Sequence, residues 1–340
     1  MAQSARQHKS IGVNGVSIAT YQQVDPSHTL TLRNAFASDM GKRFRELRGI
    51  IWRAIVDEDV FGLMTGSTTT TLPLTLFSLD RGLKTYQMRT PGPRAFAFNT
   101  SRQKVSAFME WLNEQVEQGI LEASTIPQLG QGIQPQWTDV YIQSAYQQGI
   151  RKGHQELIKA GWDIPSIEKL GGIEAIFNQP FHADRVGLLF TRTFSDLRGI
   201  TGTMETQIAR VLAQAMADGK GPREIARLLN RTISGPMGDL GITDTLGRFI
   251  PAERRAKILA RTEIIRAHAE AQLQEFENWG VVGVTAEVEF RTAGDSRVCV
   301  ICASLNEKIF TIEEARGVIP RHPQCRCIWL PVDPEADETD

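Results

Sequence analysis

All four cysteines of this chain lie between residues 299 and 327, as Cys299-Val-Ile-Cys302 and Cys325-Arg-Cys327, with His322 just ahead of the second pair. A Cys-x-x-Cys turn places two thiolates on one edge of a tetrahedron. A second pair returning after a loop completes it, so the spacing points to a closed structural metal site with zinc as the expected ion. Five candidate ligands, Cys299, Cys302, His322, Cys325 and Cys327, compete for four positions. In an extended segment Cys325 and Cys327 share a face and a four-cysteine site results. Otherwise His322 replaces one of them, and spacing leaves both arrangements open. Two disulfides, or four free thiols in a small core, are the bland alternatives. Disulfides need an oxidising compartment. The polar start, residues 1–10, lacks the apolar stretch of a signal peptide. Folding in a reducing cytoplasm is therefore expected, which favours metal over disulfide.

Two catalytic readings compete with the structural one. His268-Ala-Glu270 upstream of Cys299-x-x-Cys302 has the outline of a zinc-dependent deaminase, in which a histidine and two cysteines hold zinc and a glutamate shuttles protons. Against it, valine rather than proline precedes Cys299, His268 falls inside a long helical pattern, and Cys325 and Cys327 would have no role. Glu287-Val-Glu289 has the outline of an ADP-ribosyltransferase Glu-x-Glu pair, but charge alternating on an exposed strand face explains it more simply. Asp295 and Arg297 flank the first cysteine pair and Arg326 splits the second. Asp295 is suited to capping the turn, and Arg326 to pairing with Asp295 or Glu263.

The elements that must position these residues are mostly helical. Phe36, Met40, Phe44, Leu47, Ile51 and Ile55 recur at spacings of three and four, which predicts a helix over about 31–56. Lys42, Arg43, Arg45, Arg48 and Arg53 crowd that helix. They read as a solvated face, or as a contact with phosphates. Thr100 or Ser101 caps a helix to about Gly119, with Val105, Phe108, Met109, Leu112 and Val116 inward. A helix over about 137–157 carries Val140, Tyr141, Ala145 and Ile150 inward. A long connection with a short helix follows over 161–180. Four more helices are predicted, at about Asp184–Leu197, Thr203–Asp218, Pro222–Thr232 and Ala252–Trp279. The junction Asp218–Ile225 has helix–turn–helix form, for which a plain helical hairpin is the commoner meaning. Val281–Phe290 alternates as a strand.

Weaker signals sit elsewhere. Asn14-Gly15 between Val13, Val16 and Ile18 marks a short hairpin or a flexible arm. Thr68–Phe77 and Pro91-Gly92-Pro93 read as short extended pieces and loops, and the threonine run lacks the ending of a phosphate-gripping loop. Gln128–Gln136 reads as a linker, and the end of the chain, from residue 332, as an acidic tail. With 340 residues, 41% hydrophobic and 23% charged, the chain has room for two or three domains and a sizeable core. A net charge of −1 gives no global field toward nucleic acid or membrane, and no apolar run reaches a membrane span.

Three stretches together carry a family resemblance. They are Ala260-Arg-Thr-Glu263, then Phe290 to Asn306 with Asp295, Arg297, Cys299, Cys302 and Leu305, then Pro320 to Cys327 with His322, Pro323, Cys325, Arg326 and Cys327. Preceded by Asp218–Ile225, this order resembles the C-terminal domain of the phage Mu F-like head morphogenesis family, minor capsid proteins of tailed phages. The resemblance covers about 185–331. It implies a non-enzymatic protein present in few copies, inside the virion near the portal vertex and in the host cytoplasm during assembly. The implied partners are the portal protein and capsid or scaffolding protein, with possible contact to packaged DNA and none to membrane.

The sequence thus predicts an α+β fold, mainly α-helical, with a small C-terminal zinc-clamped strand and loop module. The expected divisions are 1–130, a helical domain with some β structure; 131–280, a helical domain; 281–331, the cysteine-rich module; and 332–340, the acidic tail.

Overall fold

A computed structural model describes residues 25–64, 88–122, 136–235, 250–280 and 287–332. In chain order the helices of the body are α1 (Leu30–Trp52, running on into a π-helical turn Arg53–Asp57), α2 (Ser101–Gly119), α3 (Asp139–Lys159), α4 (Ile173–Phe177), α5 (Pro180–Ala217), α6 (Pro222–Ser234) and α7 (Ala252–Gly280). The module follows as β1 (Glu287–Arg291), α8 (Val300–Ala303), β2 (Ile309–Thr311), α9 (Ile312–Ala315) and β3 (Ile328–Pro331). The α+β class, helix-rich with one small sheet at the C-terminal end, is as the sequence predicts. The hairpin signal at 13–18, the pieces at 68–77, the linker at 128–135, the first part of the predicted strand (281–286) and the tail beyond 332 lie outside the described residues. Among the described residues no helix is long and apolar enough to cross a membrane.

The apolar stripe of α1 does what its spacing predicts: Phe36, Met40, Phe44, Leu47, Ile51 and Ile55 are all fully buried. Thr100 caps α2, its hydroxyl oxygen accepting from the backbone N–H of Gln103 at 3.3 Å. Two details of the sequence reading change. Arg43 does not belong to a solvated face. It is buried, donates to the Gly119 carbonyl at 2.6 Å, and lies 3.8 Å over the Trp137 ring. Burial pulls its pKa down to about 10. In α3 the inward stripe runs through Ile142, Ala145, Tyr146, Ile150 and Leu157, whereas Val140 is 52% exposed because it sits one position off that face.

The largest correction is α5. The helices predicted at 184–197 and 203–218 are one continuous rod of 38 residues. Gly199 and Gly202 look like a break, each costing about 1 kcal/mol relative to alanine inside a helix. The buried face nevertheless continues through the glycines at helical spacing: Leu189, Thr193, Leu197, Thr201, Met204, Ile208 and Leu212. Burying Leu197 and Met204 on either side is worth roughly 1.5–3 kcal/mol each, which outweighs the glycines. The rod ends where Gly219 adopts φ +66°, and α6 restarts with Pro222 at its first turn.

Helix α7 is the axis of the molecule, packing against α1, α3, α5 and α6 and, beyond them, against β3 and α9. Its approach to α3 is close because Gly149 lacks a side chain: a Cβ there would meet the His268 carbonyl oxygen at 2.3 Å. One face of α7 (Ala256, Ala260, Ile264, Ala267, Ala271) belongs to the large core of the helical body. Another (Ile265, Ala269, Leu273, Phe276) belongs to a second core, completed by Leu157, Val288, Phe290, Ile312, Ile319, Trp329 and three of the cysteines. The body also buries ion pairs, among them a network around Glu275. His154 faces Glu275 Oε1 through Nδ1 at 2.8 Å and the Pro165 carbonyl through Nε2 at 2.9 Å. Both neighbours are acceptors, so both ring nitrogens must donate and the ring carries its proton.

The sheet has the order β2-β1-β3, antiparallel throughout, with Val288 opposite Phe310 and Phe290 opposite Trp329. Val288 and Phe290 are buried in the second core, while Glu287 and Glu289 alternate with them, as the period-two pattern predicts. Trp329 meets Phe290 and Phe310 edge-on at centroid distances of 5.5 and 5.6 Å. Gln272 of α7 anchors β3 by donating to the Trp329 carbonyl at 3.1 Å and accepting from its N–H at 3.4 Å.

Candidate metal centre

The first half of the site is a turn leading into α8. Gly294 at φ +67° opens the turn, and Asp295 closes it by accepting the Arg297 N–H at 3.0 Å. Cys299 then caps α8 with its sulfur, which accepts the Cys302 N–H at 3.4 Å. A backbone N–H aimed at sulfur favours the thiolate, and this bond is the main reason that Cys299 lies below the ordinary thiol range.

The second half returns from β2. A capping box between Thr311 and Glu314 starts α9. Glu270 of α7 then fixes the exit by accepting the Gly317 N–H and Arg316 Nη1, each at 3.2 Å. The chain reverses at His322–Cys325, where the Cys325 N–H meets the His322 carbonyl at 3.1 Å and Gln324 takes φ +66°. His322 Nδ1 donates to the Pro323 carbonyl at 2.8 Å. That bond leaves Nε2 as the free lone pair, the usual arrangement of a metal-binding histidine oriented by an outer partner.

One clamp joins the two halves. Asp295, ahead of the first cysteine pair, takes both arms of Arg326, between the second pair, at 2.6 and 2.7 Å. Arg297 adds a contact at 2.9 Å. The Arg326 hydrogen bonds, foremost, hold the Asp295 carboxyl well below the usual carboxylate range. Of the two partners open to Arg326 in the sequence, the fold uses Asp295. Glu263 pairs instead with Arg266 and Arg192.

All five candidate ligands are brought together in two overlapping trios. Ligand atoms of Cys299, Cys302 and His322 lie within 4.8 Å of one another, as do those of Cys302, Cys325 and Cys327. No disulfide joins the cysteines. A cavity of about 20 Å³, room for one ion-sized or water-sized occupant, is lined by Cys299, Cys302, His322 and Cys327 but not by Cys325. The sulfurs perturb one another strongly. Burial, then the neighbouring Cys325, pushes Cys302 up to about 12. Cys327 is also pushed up, chiefly by its hydrogen bond to Cys325, and the same bond pulls Cys325 down to about 5. Crowded sulfurs that resist ionising together would ionise around a cation, and the donor set of sulfur plus imidazole fits zinc.

His268 and Glu270 do not join this site. Two residues apart on α7, they cannot share a face. His268 is fully buried, with no hydrogen-bond partner at Nε2 among the described residues, and burial pulls it down to about 3. Glu270 is engaged by Arg316 and Gly317. Neither residue is in a trio capable of holding a metal. Glu270 and Gln272 are the supporting residues that the spacing argument missed. Their signal was present as polar side chains in the most thoroughly buried stretch of a helix.

Residues 206–330 match the family model described as Phage Mu protein F like protein. The match begins inside α5, later than the start near 185 expected from the motifs. It ends on β3 and takes in all five candidate ligands. No curated protein and no solved structure matches the chain.

Proposed function

From the match of residues 206–330 to the Phage Mu protein F like family model, we propose that this chain is a non-enzymatic minor head protein of a tailed phage. It acts during head assembly by binding the portal or the inner capsid, through a helical body that carries a zinc-clamped module at about 281–331. The observation that carries this reading is the site itself. Its five metal-competent side chains fall inside the matched segment. Supporting residues on α7 hold the module against the body rather than opening a substrate cleft.

Within the module the proposed ligands are Cys299, Cys302, Cys327 and His322, the four that face the cavity. Cys325 does not line the cavity, although its sulfur is within 4.8 Å of those of Cys302 and Cys327, and it is hydrogen-bonded to Cys327. A closed four-ligand site is structural, since a catalytic zinc keeps an open position. Zinc when bound would supply folding free energy on the order of 10 kcal/mol.

Capture of phage structural proteins on the immobilised full chain tests the head role, with portal protein expected to dominate the bound fraction. Failure to retain any portal or capsid protein contradicts it. Elemental analysis of the purified chain tests the site separately, with one zinc per chain expected.

A further inference from the structure

We propose that Cys302, Cys325 and Cys327 form a second, all-sulfur binding site for a soft monovalent cation of the copper(I) type, which shares two sulfurs with the zinc site. The zinc reading uses Cys299, Cys302, Cys327 and His322 and leaves Cys325 without a metal. Cys325 is nevertheless built like a ligand. Backbone N–H groups of Cys327 and Arg321 are directed at its sulfur, as the Cys302 N–H is at the Cys299 sulfur. Such bonds suit a sulfur that carries negative charge, as a metal-bound one does.

The two trios suit different ions. Cys299, Cys302 and His322 combine sulfur with imidazole, and of these only Cys302 is buried, which fits a borderline ion such as zinc. Cys302, Cys325 and Cys327 offer sulfur alone and are 1, 1 and 4% exposed. Thiolates without nitrogen or oxygen partners select soft ions, copper(I) among them. The three sulfurs lie within 4.8 Å of one another. A sulfur–metal bond is about 2.3 Å, so three sulfurs around one central ion stand about 4 Å apart. The trio therefore closes on one ion by small side-chain adjustments.

Coordination number points the same way. A closed zinc site takes four ligands. Among the described residues no further histidine, cysteine or carboxylate lies within that distance of all three sulfurs. Their companions in the second core are apolar, Phe290, Ile312, Ile319 and Trp329 among them. A soft monovalent ion is content with three thiolates and needs no fourth donor. Occupancy by the two metals is exclusive, because Cys302 and Cys327 serve both. The exchange is redox-neutral. Cys325 gives up its proton, Cys299 takes one, and His322 is freed as a neutral imidazole while zinc leaves as the dication. The competition rests on the zinc reading, but the three-sulfur site itself does not.

The test titrates copper(I), supplied without oxygen and buffered by a chromophoric copper(I) chelator, into the full chain whose zinc content has been measured. One copper should bind per chain and release one zinc. X-ray absorption should show sulfur alone around copper, and sulfur with nitrogen around zinc before the exchange. Cys325→Ser should keep its zinc and weaken copper(I) binding by more than about a hundredfold, the upper end of what loss of an outer partner costs. His322→Gln should do the reverse, weakening zinc and leaving copper(I) affinity unchanged. Wild-type copper(I) affinity in Cys325→Ser would overturn the proposal. So would nitrogen in the copper shell, a loss of copper(I) affinity in His322→Gln, or a wild-type chain that holds no copper(I) against the chelator. A chain purified without zinc contradicts the zinc reading alone, since the copper shell and the Cys325→Ser comparison still report on the three-sulfur site.

Discussion

The helical body and the cysteine module solve the same problem with different means. The body draws its core from seven helices, including fully buried Phe36, Phe44, Phe108, Tyr146, Leu197 and Leu212. It can also bury an ionic pair, His154 with Glu275, because both partners are satisfied by hydrogen bonds. The module has strands of five, three and four residues, and its core is finished only by borrowing Leu273 and Phe276 from α7 and by including three cysteines. So short a segment orders too little apolar surface to offset its conformational entropy, and a metal in the cysteine cluster would supply the difference. The contrast teaches that the metal-competent cluster stands where chain length for an apolar core runs out, and that α7 is where the two cores meet.

The largest expected effect comes from Cys302, the residue common to both trios. Cys302→Ser should take zinc from one to none per chain and unfold the module, since binding contributes on the order of 10 kcal/mol. Elemental analysis together with hydrogen exchange over 287–332 checks this. On the other side of α7, Gly149→Val should destabilise the body by about 3 kcal/mol, because the added atoms meet the His268 backbone and the Ala271 methyl, neither of which can swing aside. Urea unfolding measures it, and zinc content should not change. Asp295→Asn weakens the Arg326 clamp and should lower zinc affinity by about ten- to a hundredfold, as losing an outer-shell partner typically does. Competition with a chromophoric chelator reads this.

The pH dependence should sort by region as well. Burial opposes the His154 charge, but the Glu275 hydrogen bond and charge prevail and hold its pKa above 6.5. The stability it contributes is present in full below 6.5 and is lost as pH rises through the raised folded value. Glu275 is held below 4.5 by His154, His182 and Trp279 against the cost of burial. Its share is present above 4.5 and fades as pH falls through the depressed value. Melting temperature should therefore be highest between those limits and decline on the alkaline side. His154→Gln should remove about 2 kcal/mol at pH 6 and flatten that decline. The smallest effect is expected from Cys325→Ser, which should keep one zinc per chain. Loss of zinc in that variant would favour the four-cysteine site, with His322 only a neighbour.

Much of the fold was legible because the periodicity was strong. The stripe from Phe36 to Ile55, the Thr100 cap and the Gly221-Pro222 start all form as the residues predict. The continuity of α5 was not legible. Gly199 and Gly202 are local signals, and the burial of Leu197 and Met204 in the body core that overrides them is tertiary. At the site, ligand types could be read from spacing, whereas charge alone left Arg326 two partners, Asp295 and Glu263, between which the fold chooses Asp295. Cys299 capping its own turn, and the orientation of His322 by Pro323, depend on backbone directions that spacing does not encode. The same limit hid the role of Glu270, which in the sequence enters only through the deaminase outline that its surroundings already count against.

Hydrogen exchange of the full reduced chain, with and without a strong chelator, tests most directly that a metal holds the module and not the body. The account predicts that chelation removes amide protection over 287–332 and loosens the α7 residues near Leu273 and Phe276, while α1, α2, α5 and α6 keep theirs. Unchanged protection over 287–332 after complete metal removal, or equal loss across α1 to α6, would contradict it.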